Sequence, residues 1–211
     1  RVIAIALLII VVARPQAVDS WEETETQGID IVLALDVSGS MMSQDLQPDR
    51  LQAAKRVAAE FVTDRSNDNI GLVIFAGESF TQCPLTTDHK VLLNLLNEID
   101  YGMIEDGTAI GMGLATSVNR LISSESESRV VILLTDGTNN SGMIAPLTAA
   151  DLARSYGIRV YTVGVGTTGM APTPVQTPFG IRMQNMQVEI DEQTLTEIAA
   201  MTGGQYFRAQ D

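Results

Sequence analysis

Three oxygen-bearing side chains, Asp36, Ser38 and Ser40, stand at alternate positions directly after an aliphatic stretch. That stretch, residues 31–35, reads Ile-Val-Leu-Ala-Leu and is typical of a strand buried on both faces of a parallel sheet. Gly39, between the two serines, allows a tight turn. Carboxylate and hydroxyl oxygens without imidazole or thiolate suit a hard cation such as Mg²⁺. The simpler interpretation is that the acid ends the strand and the serines cap the next helix.

A second aliphatic stretch, Arg129–Thr135, also ends at an acid, Asp136, and Thr108 stands where a helix is predicted to start. Ligands of open α/β sheets bind at the carboxyl ends of strands, where the strand order reverses. If the strands that end at Asp36 and Asp136 are neighbours there, the three loops converge. Two carboxylates and three hydroxyls around one point are enough for an octahedral ion with a position left for water or a ligand.

The rest of the chain alternates predicted strands and helices, which predicts a doubly wound α/β sheet. Helices are expected where apolar residues recur every three or four positions, over about 51–64, 90–99, 106–122, 145–156 and 191–201. Strands are expected over about 31–35, 70–75, 79–85, 129–135, 158–165 and 206–207. Residues 166–188 interrupt the alternation with three prolines, and we expect an inserted hairpin or ordered loop there.

The first 28 residues differ from the domain that follows. Residues 1–13 are nearly all aliphatic but too few to cross a bilayer, which takes about 20 apolar residues. We therefore expect residues 1–14 to be a truncated transmembrane helix, with the core of a signal peptide as the alternative. Residues 15–28 are acidic and are interpreted as a linker to a domain over 29–211.

Composition narrows the class of function. The chain of 211 residues is long enough for one α/β domain with a full core. Its 13 Lys and Arg against 26 Asp and Glu give a net charge of −13, which disfavours nucleic acid as a partner because phosphates are repelled. The single cysteine, Cys83, precludes an internal disulfide and leaves the redox compartment open.

Catalytic machinery is hard to find around the three loops. A serine hydrolase needs a base beside its nucleophile, and the single histidine, His89, stands at a predicted helix start as a surface or capping residue. Residues 107–113 are glycine-rich but lack the Gly-Lys-Ser/Thr of a phosphate loop. A phosphatase would need a basic group or a second metal, and the one nearby cation, Arg50, is expected to solvate a helix start. We predict that the protein is not an enzyme.

Three segments together resemble the metal-ion-dependent adhesion site of von Willebrand factor A domains: Asp36-Val-Ser38-Gly-Ser40, Gly-Thr108-Ala-Ile-Gly and Leu-Thr-Asp136-Gly. The resemblance covers residues 28–207. It implies a Rossmann-like, doubly wound, mostly parallel six-stranded sheet with helices on both faces and one antiparallel edge strand, expected over 79–85. It also implies Mg²⁺, or alternatively Mn²⁺ or Ca²⁺, held by the two serines, with Asp36, Thr108 and Asp136 bound directly or through water. In that family an acidic side chain of a partner protein completes the coordination.

Residues 13–16, 45–51 and 75–86 resemble the bacterial Bat (Bacteroides aerotolerance) family, closest to its BatA members. This resemblance implies an inner-membrane protein whose A domain faces the periplasm, in a complex with other Bat-type membrane proteins. The function we expect is divalent-cation-dependent protein–protein interaction. The alternatives are a scaffold in which the metal only stabilises the fold and, less favoured, a metal-dependent hydrolase.

A binding site leaves one coordination position to solvent, whereas a structural site closes it with a side chain of its own. The candidates for a rim that contacts the partner are the residues just beyond the metal loops: Met41, Met42, Asn139, Asn140 and Ser141. The insertion over 166–188 is a further candidate surface.

Overall fold

The computed structural model describes residues 28–136, 138–177 and 180–209. The predicted transmembrane helix over 1–14 and the linker up to residue 27 lie outside the described residues. Within the described ranges, no helix has the length and apolar character needed to cross a membrane.

The described chain contains eight strands and five helices of the α type. The strands are β1 (Asp30–Asp36), β2 (Asn69–Phe75), β3 (Ser79–Thr86), β4 (Arg129–Thr135), β5 (Arg159–Val165), β6 (Gly169–Thr177), β7 (Gly180–Val188) and β8 (Tyr206–Ala209). The helices are α1 (Arg50–Thr63), α2 (His89–Glu98), α3 (Ile110–Leu121), α4 (Pro146–Ser155) and α5 (Glu192–Thr202).

Six of the strands form one sheet in the order β3-β2-β1-β4-β5-β8. All neighbours in it are parallel except β3, which pairs antiparallel with β2 at the edge. The exposed Pro84 lies in β3, where a missing N–H is tolerated because the outer side of the strand has no neighbour in this sheet. The predicted mostly parallel sheet with one antiparallel edge strand is therefore confirmed.

Helices cover both faces of the sheet, because successive strand side chains point to opposite sides. Ile31, Leu33 and Leu35 of β1 pack in the core that includes α1 and α2. Val32 and Ala34 pack on the other face in the core that includes α3, α4 and α5. This arrangement confirms the doubly wound α/β fold.

Local hydrogen bonds and backbone angles determine where the helices begin. Asp49 accepts a hydrogen bond from the Gln52 amide and so makes Arg50 the first residue of α1. The predicted start of the third helix at residue 106 is wrong, since α3 begins at Ile110. Gly107 has a φ of 137°, which a helix cannot accommodate, and residues 106–109 form a loop instead.

The interruption over 166–188 contains a two-stranded antiparallel hairpin of β6 and β7. The hairpin contacts the loop that follows β1. The Gln44 amide donates to the Pro172 carbonyl at 2.9 Å, and the Ser43 and Thr173 hydroxyls lie 2.9 Å apart. The hairpin is thereby held next to the carboxyl end of β1.

An apolar groove of about 410 Å³ lies on the α1 face of the sheet. It is lined by residues of α1 and by sheet residues that include Ile132, Tyr161, Val163 and Phe207. The five predicted metal-site residues are not part of its lining. The groove and the predicted site are therefore separate features.

We predict that Gly111→Ala destabilises the domain. A Cβ at this position of α3 would lie 2.0 Å from the carbonyl oxygen of Ile144, so the loop after β4 would have to move. We expect a loss of about 1–3 kcal/mol in the free energy of unfolding, measured by chemical denaturation. Asn119→Ala, at an exposed position of the same helix, should stay within about 0.5 kcal/mol of the wild type. Equal stability of the two variants would contradict the prediction.

Candidate metal centre

The carboxyl ends of β1 and β4 lie side by side. These strands are parallel neighbours, with Leu35 paired to Leu134, so the residues that follow leave the sheet together. The strand order reverses at this point, because the chain passes from β1 outward to β2 and β3 and then returns to β4 on the other side. The structure therefore places Asp36 and Asp136 at the same edge of the sheet.

The turn after β1 is organised around the Asp36 carboxylate. One of its oxygens accepts the Ser38 amide at 2.9 Å, and the other accepts the Thr135 hydroxyl at 2.5 Å. The hydroxyls of Ser38 and Ser40 lie 3.0 Å apart, in or beside a short 3₁₀ turn over Gly39–Met42. The three side chains that the sequence singled out after β1 are thus brought together locally. The sequence analysis missed Thr135, whose role depends on the pairing of β1 with β4.

Thr108 is buried and is fixed by the loop after β4. Its amide donates to the side-chain oxygen of Asn140 at 2.8 Å, and its carbonyl accepts the amides of Asn140 and Ser141. The side-chain oxygen of Asn139 accepts the Ile110 amide at the start of α3. These contacts link the Thr108 loop to the loop that carries Asp136.

The predicted contact rim needs correction. Met41 is completely buried in the core, because the 3₁₀ turn points it inward, so its assignment to a rim is wrong. Asn139 and Asn140 are exposed, but their side-chain oxygens hold backbone amides. The Ser141 hydroxyl donates to the same oxygen of Asn140. Met42 alone of the five lines a cleft beside Ser40.

Two carboxylates are buried at this edge, with Asp36 0% and Asp136 2% exposed. Burial, and then the charge of Asp136, raise the pKa of Asp36 to about 7. Hydrogen bonds from Ser38 and Thr135 act in the opposite direction but do not offset this. A cation at this edge would relieve the repulsion between the two carboxylates.

Arg50 is a part of this edge that the sequence analysis assigned wrongly. It does not solvate a helix start, since it is only 1% exposed. Its Nη1 donates to Asp136 Oδ2 at 3.1 Å, and its Nε and Nη2 donate to the two oxygens of Asp45 at 2.7 Å each. The guanidinium lies over Gly166, where a Cβ would be 2.6 Å from its Cζ. Positions so far apart in the chain gave no sequence signal for this contact.

Asp45 in turn fixes the connection between β5 and β6. Its Oδ2 accepts the amide of Thr167 at 2.6 Å and the hydroxyl of Thr167 at 3.0 Å. Burial opposes ionisation of Asp45, but hydrogen bonds from Arg50 and Thr167 and the Arg50 charge outweigh it and lower the pKa of Asp45 to about 2. Asp45 is therefore an anion at neutral pH and holds Arg50 in place.

The donor set can be compared with the needs of metal ions. The described residues contain no group of three or more His, Cys, Asp and Glu that could hold a metal. The donors that the structure brings together at the sheet edge are instead two carboxylates and the hydroxyls of Ser38 and Ser40, with the buried Thr108 on a loop tied to the one that carries Asp136. Such oxygen donors, without nitrogen or sulfur, fit a hard divalent cation.

The contacts of the single histidine and the single cysteine are those of structural residues. The Nε2 atom of His89 is 2.9 Å from the Asp68 carbonyl oxygen at the start of α2. Cys83 is buried in β3, and burial, followed by the charge of Asp88, raises the pKa of its thiol. A thiol with a raised pKa is a poor nucleophile, so this residue is best described as a packed side chain.

The fold agrees with the result of a sequence comparison. The profile of the von Willebrand factor type A domain matches residues 30–211, and the chain belongs to this family.

Two solved structures resemble the chain over most of its length. The chain is 34% identical to an aerotolerance-related membrane protein from Bacteroides fragilis, with a TM-score of 0.79 and coverage of 87% of this chain and 92% of that one. It is also 34% identical to the conserved hypothetical protein BatB from Bacteroides thetaiotaomicron, with a TM-score of 0.77 and coverage of 87% and 91%. One neighbour is named BatB and the other is described as aerotolerance-related, in agreement with the expected Bat resemblance.

Likeness to a structure at 20% identity shows the fold alone. A proximal thread matrix protein from the mussel byssus, described with a zinc-occupied metal-ion-dependent adhesion site, is 20% identical with a TM-score of 0.66, over 87% of this chain and 44% of that one.

An uncharacterised protein of Borreliella burgdorferi is 32% identical over 87% of this chain and 54% of its own length. The chain thus spans about half the length of the curated relatives it matches.

We predict that the affinity for Mg²⁺ rises with pH. Since the pKa of Asp36 is raised to about 7, this carboxyl is largely protonated at pH 6 and largely ionised at pH 8. Metal binding needs the ionised form, so the affinity should increase about tenfold between these pH values, with release of a proton near neutral pH. Titration calorimetry in buffers of different ionisation enthalpy measures both quantities. An affinity that does not change from pH 6 to pH 8 would contradict the prediction.

Proposed function

We propose that this domain binds a divalent cation, Mg²⁺ in the first place and Mn²⁺ or Ca²⁺ as alternatives, and through it an acidic side chain of a protein partner. The ligands would be Asp36, Ser38, Ser40, Thr108 and Asp136. The observation that carries the proposal is the burial of two carboxylates at one sheet edge beside the hydroxyls of Ser38 and Ser40, where burial raises the pKa of Asp36. A bound dication supplies the charge that such a site lacks and can accept a further carboxylate.

The accessible side of the site supports a role in binding a partner. Asp36, Ser38, Thr108 and Asp136 are buried, whereas Ser40 is partly exposed. A cleft of about 520 Å³ opens beside Ser40, lined by residues of the β1 turn, of the loop before α3 and of the hairpin: Gly39, Ser40, Met42, Ser43, Tyr101, Asp106, Thr173, Pro174, Met186, Gln187 and Val188. A partner carboxylate would reach the cation from this cleft.

Met42 and Met186 line this cleft, and exposed methionines lie on the loops and on the hairpin. Met103 precedes α3, Met143 follows β4, and Met170, Met183 and Met186 lie on the hairpin. Met143 is 94% and Met170 67% exposed. Methionine side chains are flexible and polarisable and adapt to differently shaped apolar surfaces. The proposed partner therefore presents an acidic residue flanked by apolar side chains.

The hydrolase alternative gains no support from Arg50. This residue provides the basic group that the three loops lacked in the sequence, but it is 1% exposed and paired with Asp45 and Asp136. A substrate phosphate would need an accessible cation. The geometry therefore favours a binding domain. A scaffold stabilised by metal remains the competing function, and metal-dependent capture of a partner distinguishes the two.

The cellular setting we propose follows the Bat relatives. One of them is described as an aerotolerance-related membrane protein. We propose that residues 1–14 anchor this protein in the bacterial inner membrane, with the acidic linker 15–28 leading to a periplasmic A domain in a Bat-type complex. The particular likeness to BatA stays a prediction, as does membrane attachment.

We predict that Asp36→Ala and Asp136→Ala abolish metal binding and leave the domain folded. Each substitution removes one of two repelling buried carboxylates, so neither should unfold the sheet. Calorimetry with Mg²⁺ and Mn²⁺ measures binding, and circular dichroism measures folding. Ser38→Ala/Ser40→Ala should also lose binding, whereas Asp151→Ala, in an exposed ion pair with Arg154, should bind as the wild type does.

The partner test uses the same variants as bait. Capture from membrane extracts in Mg²⁺ should yield a protein that is lost with EDTA and with Asp36→Ala, and cross-linking should place its contact beside Ser40. Metal binding by the wild type without any metal-dependent partner would favour the scaffold. Unfolding of both acid variants would contradict the separation of metal binding from folding.

A further inference from the structure

We propose that Arg50 is a built-in counter-cation of the candidate metal centre: its guanidinium balances part of the Asp136 charge in the metal-free domain and thereby limits the affinity for metal. The inference rests on the proposed function, since it concerns the same site. Arg50 is a buried residue outside the predicted ligand set. Its role, in this proposal, is to determine how tightly the ligands bind a dication.

The guanidinium of Arg50 is shared unequally between Asp45 and Asp136, which is the first support for the proposal. Two of its nitrogens form a fork with Asp45 at 2.7 Å each, and the third nitrogen reaches Asp136 Oδ2 at 3.1 Å. Asp45 alone accepts the strong two-point contact. The contact with Asp136 is therefore additional, and it places positive charge directly on a candidate metal ligand.

The second support is that Arg50 is fixed where it lies. The Asp49 cap makes it the first residue of α1, Thr167 holds Asp45 from the other side, and Gly166 leaves space for the guanidinium. The side chains of both carboxylate partners are nearly inaccessible, at 5% exposure for that of Asp45 and 2% for that of Asp136. Solvent therefore screens the Arg50 charge poorly, and a nearby dication would feel it strongly.

The third support is the balance of charge. Among the buried side chains of this edge, Asp36, Asp45 and Asp136 contribute three negative charges when ionised, and Arg50 contributes one positive charge. Asp106, which accepts the Gly39 amide, is exposed, so solvent screens its charge. Two negative charges remain, which one divalent cation neutralises. Without Arg50 the site would carry a third uncompensated negative charge. The metal-free fold would then be less stable, and the attraction for a cation would be greater.

The experiment compares Arg50→Met, Arg50→Lys and the wild type, with Lys55→Met as the matched control. Lys55 is another buried cation of α1, but its Nζ donates to the carbonyl oxygens of Asn97 and Ile99. The Mg²⁺ affinity is measured by calorimetry, and the melting temperature is measured with and without Mg²⁺.

We expect Arg50→Met to bind Mg²⁺ at least about tenfold more tightly than the wild type, because a repelling charge is gone. Its metal-free melting temperature should fall by roughly 5–15 °C, and saturating Mg²⁺ should restore much of this loss. Arg50→Lys keeps the charge and should keep an affinity near the wild type. Lys55→Met should lower the melting temperature equally with and without Mg²⁺, with unchanged affinity.

Asp45→Asn should change the Mg²⁺ affinity in the opposite direction. This variant can be measured even if Arg50→Met does not fold. It weakens the fork and leaves the guanidinium to Asp136, so the Mg²⁺ affinity should fall severalfold. Unchanged or weaker binding by Arg50→Met, or tighter binding by Asp45→Asn, would overturn the inference. If the wild type binds Mg²⁺ and Asp36→Ala does not, such a result leaves the proposed function standing. Absence of binding by the wild type and all variants would overturn both.

Discussion

Repulsion between two buried carboxylates at neighbouring strand ends is the constraint on which this site depends. Asp36 and Asp136 are both removed from water, and the burial and mutual charge raise the pKa of Asp36 to about 7. A fold tolerates such a pair only if protons, hydrogen-bond donors or cations compensate it. The Ser38 amide and the Thr135 hydroxyl supply hydrogen bonds to one acid, and Arg50 supplies charge to the other. A divalent cation would complete what these groups begin.

The arrangement of the sheet brings these compensating groups together. Because β1 and β4 are parallel neighbours, the loops that follow them leave the same edge, and the asparagines after β4 hold the Thr108 loop against them. Asp45 extends the network to Thr167, just before the β6–β7 hairpin, while Ser43 and Gln44 touch the hairpin directly. The candidate ligands, the counter-charge and the proposed partner surface therefore belong to one connected edge of the domain.

Local patterns made most of the fold predictable. The aliphatic stretch over Arg129–Thr135 coincides with β4. Asp36 at the end of β1 and the two serines that follow it lie in one turn, so their spacing alone placed them together. What could not be predicted depends on contacts between distant positions. Arg50 meets Asp136 across 86 residues, and Asn140 meets Thr108 across 32. The assignment of Met41 to the rim was wrong because a short 3₁₀ turn points its side chain into the core. The sequence contains no signal for this turn.

We propose that one cation is held at the edge formed by β1, β4 and the Thr108 loop. Crystals of the domain grown with Mn²⁺ and measured at a wavelength where manganese scatters anomalously would reveal the position of this cation. We expect one strong anomalous peak in contact with Ser38 and Ser40 and beside Asp36, Thr108 and Asp136, with a coordination position that faces the cleft at Met42. A peak elsewhere, or none at this edge in crystals saturated with Mn²⁺, would refute the proposal.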